Sequence, residues 1–159
     1  MWATPDRQQR PGSGPLPIPL QLPTRFLLGF DYGRKRIGVA LGQSVTRTTS
    51  SLETLVARDG QPDWLAVERI VDAWQPAALI VGLPLALDGS EQDITREARR
   101  FARRLEGRFH LPVYLVDERL TSREAEYIIK TQPEKDSNDI DQIAAQIILQ
   151  TWFDNTDSP

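Results

Sequence analysis

Phe26-Leu27-Leu28-Gly29-Phe30-Asp31-Tyr32-Gly33-Arg34-Lys35-Arg36-Ile37-Gly38-Val39-Ala40-Leu41-Gly42 decides the fold class. In residues 26–32, Phe26, Leu28 and Phe30 share one face, while Leu27, Gly29 and Asp31 share the other, the alternation of a strand. Gly33-Arg34-Lys35 reads as a turn. Ile37, Val39 and Leu41 then alternate with Gly38, Ala40 and Gly42, giving a second strand. So short a connection predicts an antiparallel hairpin.

Outward from the hairpin, residues 49–56 read as a third strand. Pro62 is expected to open a helix running to Trp74, with Leu65, Ile70, Val71 and Trp74 at helical spacing. Residues 77–82 are all apolar, as in a buried parallel strand. A loop punctuated by Gly82-Leu83-Pro84 and Asp88-Gly89-Ser90 follows. Ile94, Ala98, Phe101, Ala102 and Leu105 then form one helical stripe. Residues 113–116 make a fifth strand. Thr121-Ser122-Arg123-Glu124 fits a capping box opening another helix, and residues 140–153 make the last. This order predicts an α/β fold: a mixed five-stranded sheet, an antiparallel meander plus parallel strands, flanked by helices.

Composition narrows the chemistry. The 159 residues suit one domain, and 40% hydrophobic with 26% charged residues is a globular balance. There is no Cys and a single His, His110, so thiolate zinc sites, cysteine nucleophiles and multi-histidine metal sites are excluded. His110 itself is expected to be structural or exposed. Residues 1–25 hold six of the 12 prolines, a spacing that allows neither helix nor central strand. They are expected to form a disordered Pro-rich arm ahead of a domain at 26–159. Within the arm, Pro15-Leu16-Pro17-Ile18-Pro19 favours polyproline II. The arm lacks the apolar core of a signal peptide, and no apolar run approaches the ~20 residues of a membrane span.

Three acidic positions stand where apolar residues belong. Asp31 ends the first strand, and Asp117-Glu118 ends the fifth at its C-terminal edge, where open α/β sheets form sites. The third is Asp141. At ~100° per residue from Ile140, Ala144 sits near 40°, Ile148 near 80° and Ile147 near 340°. Asp141, near ~100°, falls inside this apolar arc, whereas Asp139, near ~260°, falls outside and suits a cap. Asp141 is therefore expected to face the core and to need a partner. Buried charge costs several kcal/mol unless compensated, and clustered carboxylates repel. Mg²⁺ or Mn²⁺ would relieve both, because each favours oxygen ligands. Two such ions ~3.5–4 Å apart clamp the attacking and leaving oxygens of a phosphodiester without Cys or His. Taken singly, each acid has a simpler explanation: a turn cap for Asp31, an ion pair with Arg119 or Arg123 for Glu118, a helix N-terminus for Asp141. Taken together, they point to a metal site.

These residues carry a family resemblance. Gly29-Phe30-Asp31-Tyr32-Gly33 followed by Arg36-Ile37-Gly38-Val39-Ala40 resembles the opening motif of the YqgF (RuvX) family of pre-16S rRNA nucleases, also described as Holliday-junction-resolvase-like. Val81-Gly82-Leu83-Pro84 with Asp88-Gly89-Ser90 continues the match. So do Asp117-Glu118-Arg119-Leu120-Thr121-Ser122 and Ile140-Asp141-Gln142-Ile143-Ala144-Ala145 leading to Ile148-Leu149-Gln150. The resemblance implies an RNase H-like fold and a metal-dependent nuclease acting in the cytoplasm at the 5′ end of the 16S rRNA precursor. It implies Asp31, Glu118 and Asp141 as catalytic, metal-binding acids, with Asp117 as an accessory. One segment departs from the pattern: Glu134-Lys135-Asp136-Ser137-Asn138-Asp139 is net acidic where the family is often basic.

From residue 26 onward 16 basic and 21 acidic residues leave a net charge of −5. Binding structured RNA must then rely on metal and on local patches. Arg34, Lys35 and Arg36 directly follow Asp31 and would meet phosphates flanking the scissile one. Arg96, Arg99, Arg100, Arg103 and Arg104 share one helical face opposite the stripe of Ala98, Phe101 and Leu105, suited either to a phosphate backbone or to solvent. Two other functions fit the same residues: a nucleic-acid-binding assembly factor without hydrolysis, and a resolvase of branched DNA junctions. An actin-like ATPase needs two domains, which this length does not supply, so no nucleotide cofactor is expected.

Overall fold

The computed structural model describes residues 25–121, 123, 127, 131 and 137–156. Both the Pro-rich arm and most of the helix expected from Thr121 lie outside the described residues.

Six strands form one sheet in the order β4-β3-β2-β1-β5-β6. They are β1 (Phe26–Asp31), β2 (Arg36–Gln43), β3 (Thr48–Arg58), β4 (Gln61–Pro62), β5 (Ala78–Leu83) and β6 (Val113–Asp117). The meander is as expected: β1 pairs antiparallel with β2, Phe30 opposite Val39 and Asp31 opposite Gly38, and β2 pairs antiparallel with β3. β5 joins β1 in parallel, Leu28 opposite Leu79, and β6 joins β5 in parallel. The sixth strand is the two-residue β4, in which Pro62 pairs with Ala57. Pro62 therefore does not open a helix. It sits at the sheet's edge, where a missing N–H is tolerated.

Helix α1 (Trp64–Trp74) begins instead at the Asp63 cap, whose carboxylate accepts from the Leu65 N–H at 3.0 Å. Leu65, expected in the core, is 73% exposed. Ala66, Val67, Ile70 and Val71 carry the buried face. Helix α2 (Asp93–Phe109) buries Thr95, Ala98, Phe101, Ala102 and Leu105. His110 ends it in a left-handed conformation and is exposed. Both helices cover the face of Leu28, Phe30, Val39, Leu79 and Val81. Phe30 meets Phe101 edge-on at 5.6 Å.

Helix α3 (Ser137–Asp154) covers the other face, against Leu27, Ala40 and Ile80. Its arc differs from the one expected. Ile140 is 55% exposed, because the helix rolls to place Gln142 and Gln146 over β3. Gln142 donates to Thr54 at 3.1 Å, and Gln146 donates to Ser51 at 2.6 Å and accepts from Thr49 at 3.2 Å. The Ser/Thr-rich β3 thus satisfies a polar helix face that lies outside the expected apolar arc yet packs on the sheet.

The approach of α3 to the sheet is close enough to require glycine. A Cβ at Gly38 would fall on the Asp141 carbonyl oxygen, and one at Gly29 would lie 2.5 Å from Leu149 Cγ. Gly38→Ala is expected to cost about 2–3 kcal/mol in urea unfolding, as overpacking against backbone does. Gly107→Ala, in the same class but with nothing within 4 Å, is expected to stabilise α2 by about 0.5–1 kcal/mol. Equal effects from the two would contradict this account of the seat.

Candidate active site

Backbone pairing delivers the acids. Asp31 ends β1 on the α3 side, because Leu27 and Gly29 face α3 and the side chains alternate. Its strand partner is Gly38, the glycine that bears the Asp141 carbonyl, so Asp31 and Asp141 approach across one position. From the other side, β6 ends at Asp117 opposite Leu83, and the 3-10 turn Glu118–Leu120 begins there. The Glu118 carboxylate lies over Gly82, whose missing Cβ would stand 2.6 Å from Oε2.

Electrostatics shows how crowded this end of the sheet is. The Asp31 carboxyl is pushed up from 3.8 to about 7, first by burial, then by Glu118 and Asp141. Glu118 is also raised, by burial and then by Asp117. Asp141 has found the partner its position demanded: Arg36 Nε donates to Oδ2 at 2.6 Å. Asp117 is held low, chiefly by hydrogen bonds from the Arg119 side chain, which forks onto it at 2.7–3.1 Å. Arg119 is thus spent on Asp117 rather than on Glu118. Among the described residues no three His, Cys, Asp or Glu side chains are arranged to hold one metal ion. In this arrangement the Asp141 carboxylate is turned to Arg36.

The basic residues divide into paired and unpaired. Arg34 forks onto Glu97, Arg96 pairs with Asp93, and Arg99 with Glu91 at 2.7 Å. Lys35, Arg100, Arg103 and Arg104 are exposed and make no ion pair among the described residues. In the loop after β5, the N–H groups of Ala86, Gly89 and Ser90 bond to Ser90 O, Ala86 O and the Asp88 carboxylate, so they are spent within the loop. Sequence reasoning missed Tyr32 and Glu97, which meet across the sheet's other face. The signal was available in Tyr32, which alternates with Asp31.

The fold belongs to a known class, and the chain to a known family. The fold resembles that of Thermus thermophilus RuvC in complex with a Holliday junction substrate, with a TM-score of 0.52, 16% identity and coverage of 81% of this chain and 93% of that one. It also resembles fowlpox virus resolvase, with a TM-score of 0.50, 12% identity and coverage of 81% and 97%. The architecture is thus the RNase H-like α/β fold of RuvC. The RuvX family model, described as Holliday junction resolvase, matches residues 25–155. A Haemophilus ducreyi relative named "Putative pre-16S rRNA nuclease" is 51% identical over 134 residues, covering 81% of this chain and 96% of its own. A Nitrosococcus oceani relative of the same name is 49% identical over 143 residues, covering 89% and 94%. The chain belongs to the RuvX family, and with it to the hydrolases of phosphodiester bonds.

The acid cluster has a cost that can be measured. A carboxyl raised in the fold stabilises the protein only while protonated. That contribution is intact below about pH 4 and is lost as pH rises through about 7. In EDTA at pH 8, Asp31→Asn is expected to be more stable than the parent by up to roughly 4 kcal/mol, at ~1.4 kcal/mol per pKa unit. The gap should close towards pH 4. Matching melting temperatures at pH 8 would show that Asp31 carries no such burden.

Proposed function

We propose that this protein is a divalent-metal nuclease that trims the 5′ end of the 16S rRNA precursor, with Asp31, Glu118 and Asp141 as its metal-binding acids. The observation that carries the reading is the convergence of carboxylates from β1, the end of β6 and α3 at one sheet end, where Asp31 is raised first by burial and then by the other two. The donor set fits Mg²⁺ or Mn²⁺: it is all oxygen, crowded and under-compensated. Bound there, such ions supply charge stabilisation at the attacking and leaving oxygens and a water of lowered pKa. Asp31, Glu118 and Asp141 would hold the ions, and Glu118, standing over Gly82, would also accept the proton of the attacking water. Asp117 stays with Arg119 and fixes the turn that carries Glu118. The exposed Lys35 and the arginines of α2 meet flanking phosphates. Precursor rRNA gives the reaction a cytoplasmic setting. Among the described residues no helix is long and apolar enough to cross a membrane.

Arg36 holds Asp141 here, and a cation bound there would compete with it and leave its guanidinium for a phosphate. The expected test is cleavage of a precursor rRNA 5′ leader with Mg²⁺ or Mn²⁺ and none in EDTA. Asp31→Asn should lose at least about 10³-fold, the scale of ~4 kcal/mol of transition-state stabilisation. Full activity in that variant would remove the assignment. A second readout needs no RNA: Arg36→Met should bind Mn²⁺ several-fold more tightly by calorimetry, because Asp141 no longer has a competing cation. Unchanged affinity would show that the ion pair does not compete. The family description favours one other substrate, branched DNA. Faster cleavage of a four-way DNA junction than of precursor rRNA would select it.

A further inference from the structure

On the sheet face opposite the acids lies a cavity of about 430 Å³. It starts one residue from Asp31, at Tyr32, whose side chain points the other way. Phe101 and Tyr32 form its floor, their rings 5.3 Å apart. The Tyr32 hydroxyl fills the space that a Cβ at Gly60 would need, and Gly60 has φ +81°. Tyr32 is thus held on both sides, by ring packing and by the β3–β4 turn.

Three donors converge on one carboxylate here. Arg34 donates to Glu97 through Nε at 2.9 Å and Nη2 at 2.7 Å, and the Tyr32 hydroxyl reaches the same group at 3.5 Å. Arg100 and Arg104 line the cavity as well and are exposed. The fork that suits a carboxylate also suits a phosphate. The Arg34–Glu97 pair is exposed on the arginine side, and such pairs contribute little and exchange readily. Four arginines against Asp59, Asp93 and Glu97 give the cavity a balance of one positive charge. That balance rises to two when Glu97 swings out.

We propose that this cavity is a phosphate seat for the nucleic-acid strand, in which a backbone phosphate displaces the Glu97 carboxylate from Arg34 and is held by Arg34, Arg100 and Arg104. Glu97 acts as a resident anion that keeps the donors in place while the seat is free. The ligand class rests on the nuclease reading. The seat adds a grip on the far face of the sheet, beside the strand end that carries Asp31.

The test uses the full chain in EDTA and a labelled, 5′-phosphorylated single-stranded hexaribonucleotide, read by fluorescence anisotropy. Arg100→Gln/Arg104→Gln is expected to weaken binding at least about 5-fold and to lower the salt slope by about 0.7, one single-strand phosphate contact. Glu97→Gln is expected to tighten binding at least about 3-fold, because the competing charge is gone. The hexadeoxyribonucleotide of the same sequence should respond alike, since phosphate is the shared chemistry. Unchanged binding in the double variant, weaker binding in Glu97→Gln, or a response confined to RNA would overturn the seat. If any of these occurs while precursor rRNA is still cut, the seat falls and the nuclease reading stands. The expected pair of opposite shifts without cleavage by the parent protein upholds the seat and removes the nuclease reading.

Discussion

The contact between the Asp141 carbonyl and the bare Cα of Gly38 fixes the rest of the molecule. It brings the start of α3 onto β2 more closely than any side chain would permit. Further along, Leu149 takes the corresponding space at Gly29, and the ring of Phe153 lies near Gly42. Helix α3 is seated along a line of glycines drawn from two neighbouring strands. Because Asp31 pairs with Gly38, the same seat sets the spacing between two acids separated by more than a hundred residues of chain. Packing thus determines electrostatics here. At its far end α3 is tied again, where Arg47 donates to the carbonyls of Phe153 and Thr156 and stacks over the Phe153 ring.

That placement leaves the free protein with a charge problem, which it solves piecemeal. Asp117 receives a bidentate arginine, Asp141 receives Arg36, and Asp31 shifts its proton affinity instead. Only the last two solutions are easily reversed, one by a cation and the other by a change of pH. Acids compensated in this way stay responsive to their surroundings. Keeping Asp31 buried with a raised proton affinity costs stability at neutral pH.

The hairpin, the parallel strands and the α2 stripe were legible because their apolar periods are uninterrupted. Asp31 and Asp141 were legible for the converse reason, as charges set among apolar neighbours. What misled was α3, where Gln142 and Gln146 sit over the sheet and Ile140 faces water. Helical arithmetic counts every glutamine as surface and cannot see the row of hydroxyls on β3 that receives these two. Pro62 misled in a similar way: a proline before a helix reads as its first turn, whereas Asp63 supplies the cap and the proline belongs to an edge strand. Pairing partners were harder still. That Arg36 would take Asp141 and Arg34 would take Glu97 depends on long-range register, which no local pattern encodes. The arginine face of α2 was visible as a face, but its division into paired and unpaired members needed the neighbouring acids in three dimensions.

Asp31 and Tyr32 are adjacent in the chain and address opposite sides of a single layer. A slip of one position in the central strand would exchange them, driving a carboxylate into the aromatic floor and a phenol into the acid cluster. The central strand therefore tolerates neither an inserted nor a deleted residue. Its length is as much a part of the acid cluster's geometry as the side chains it carries.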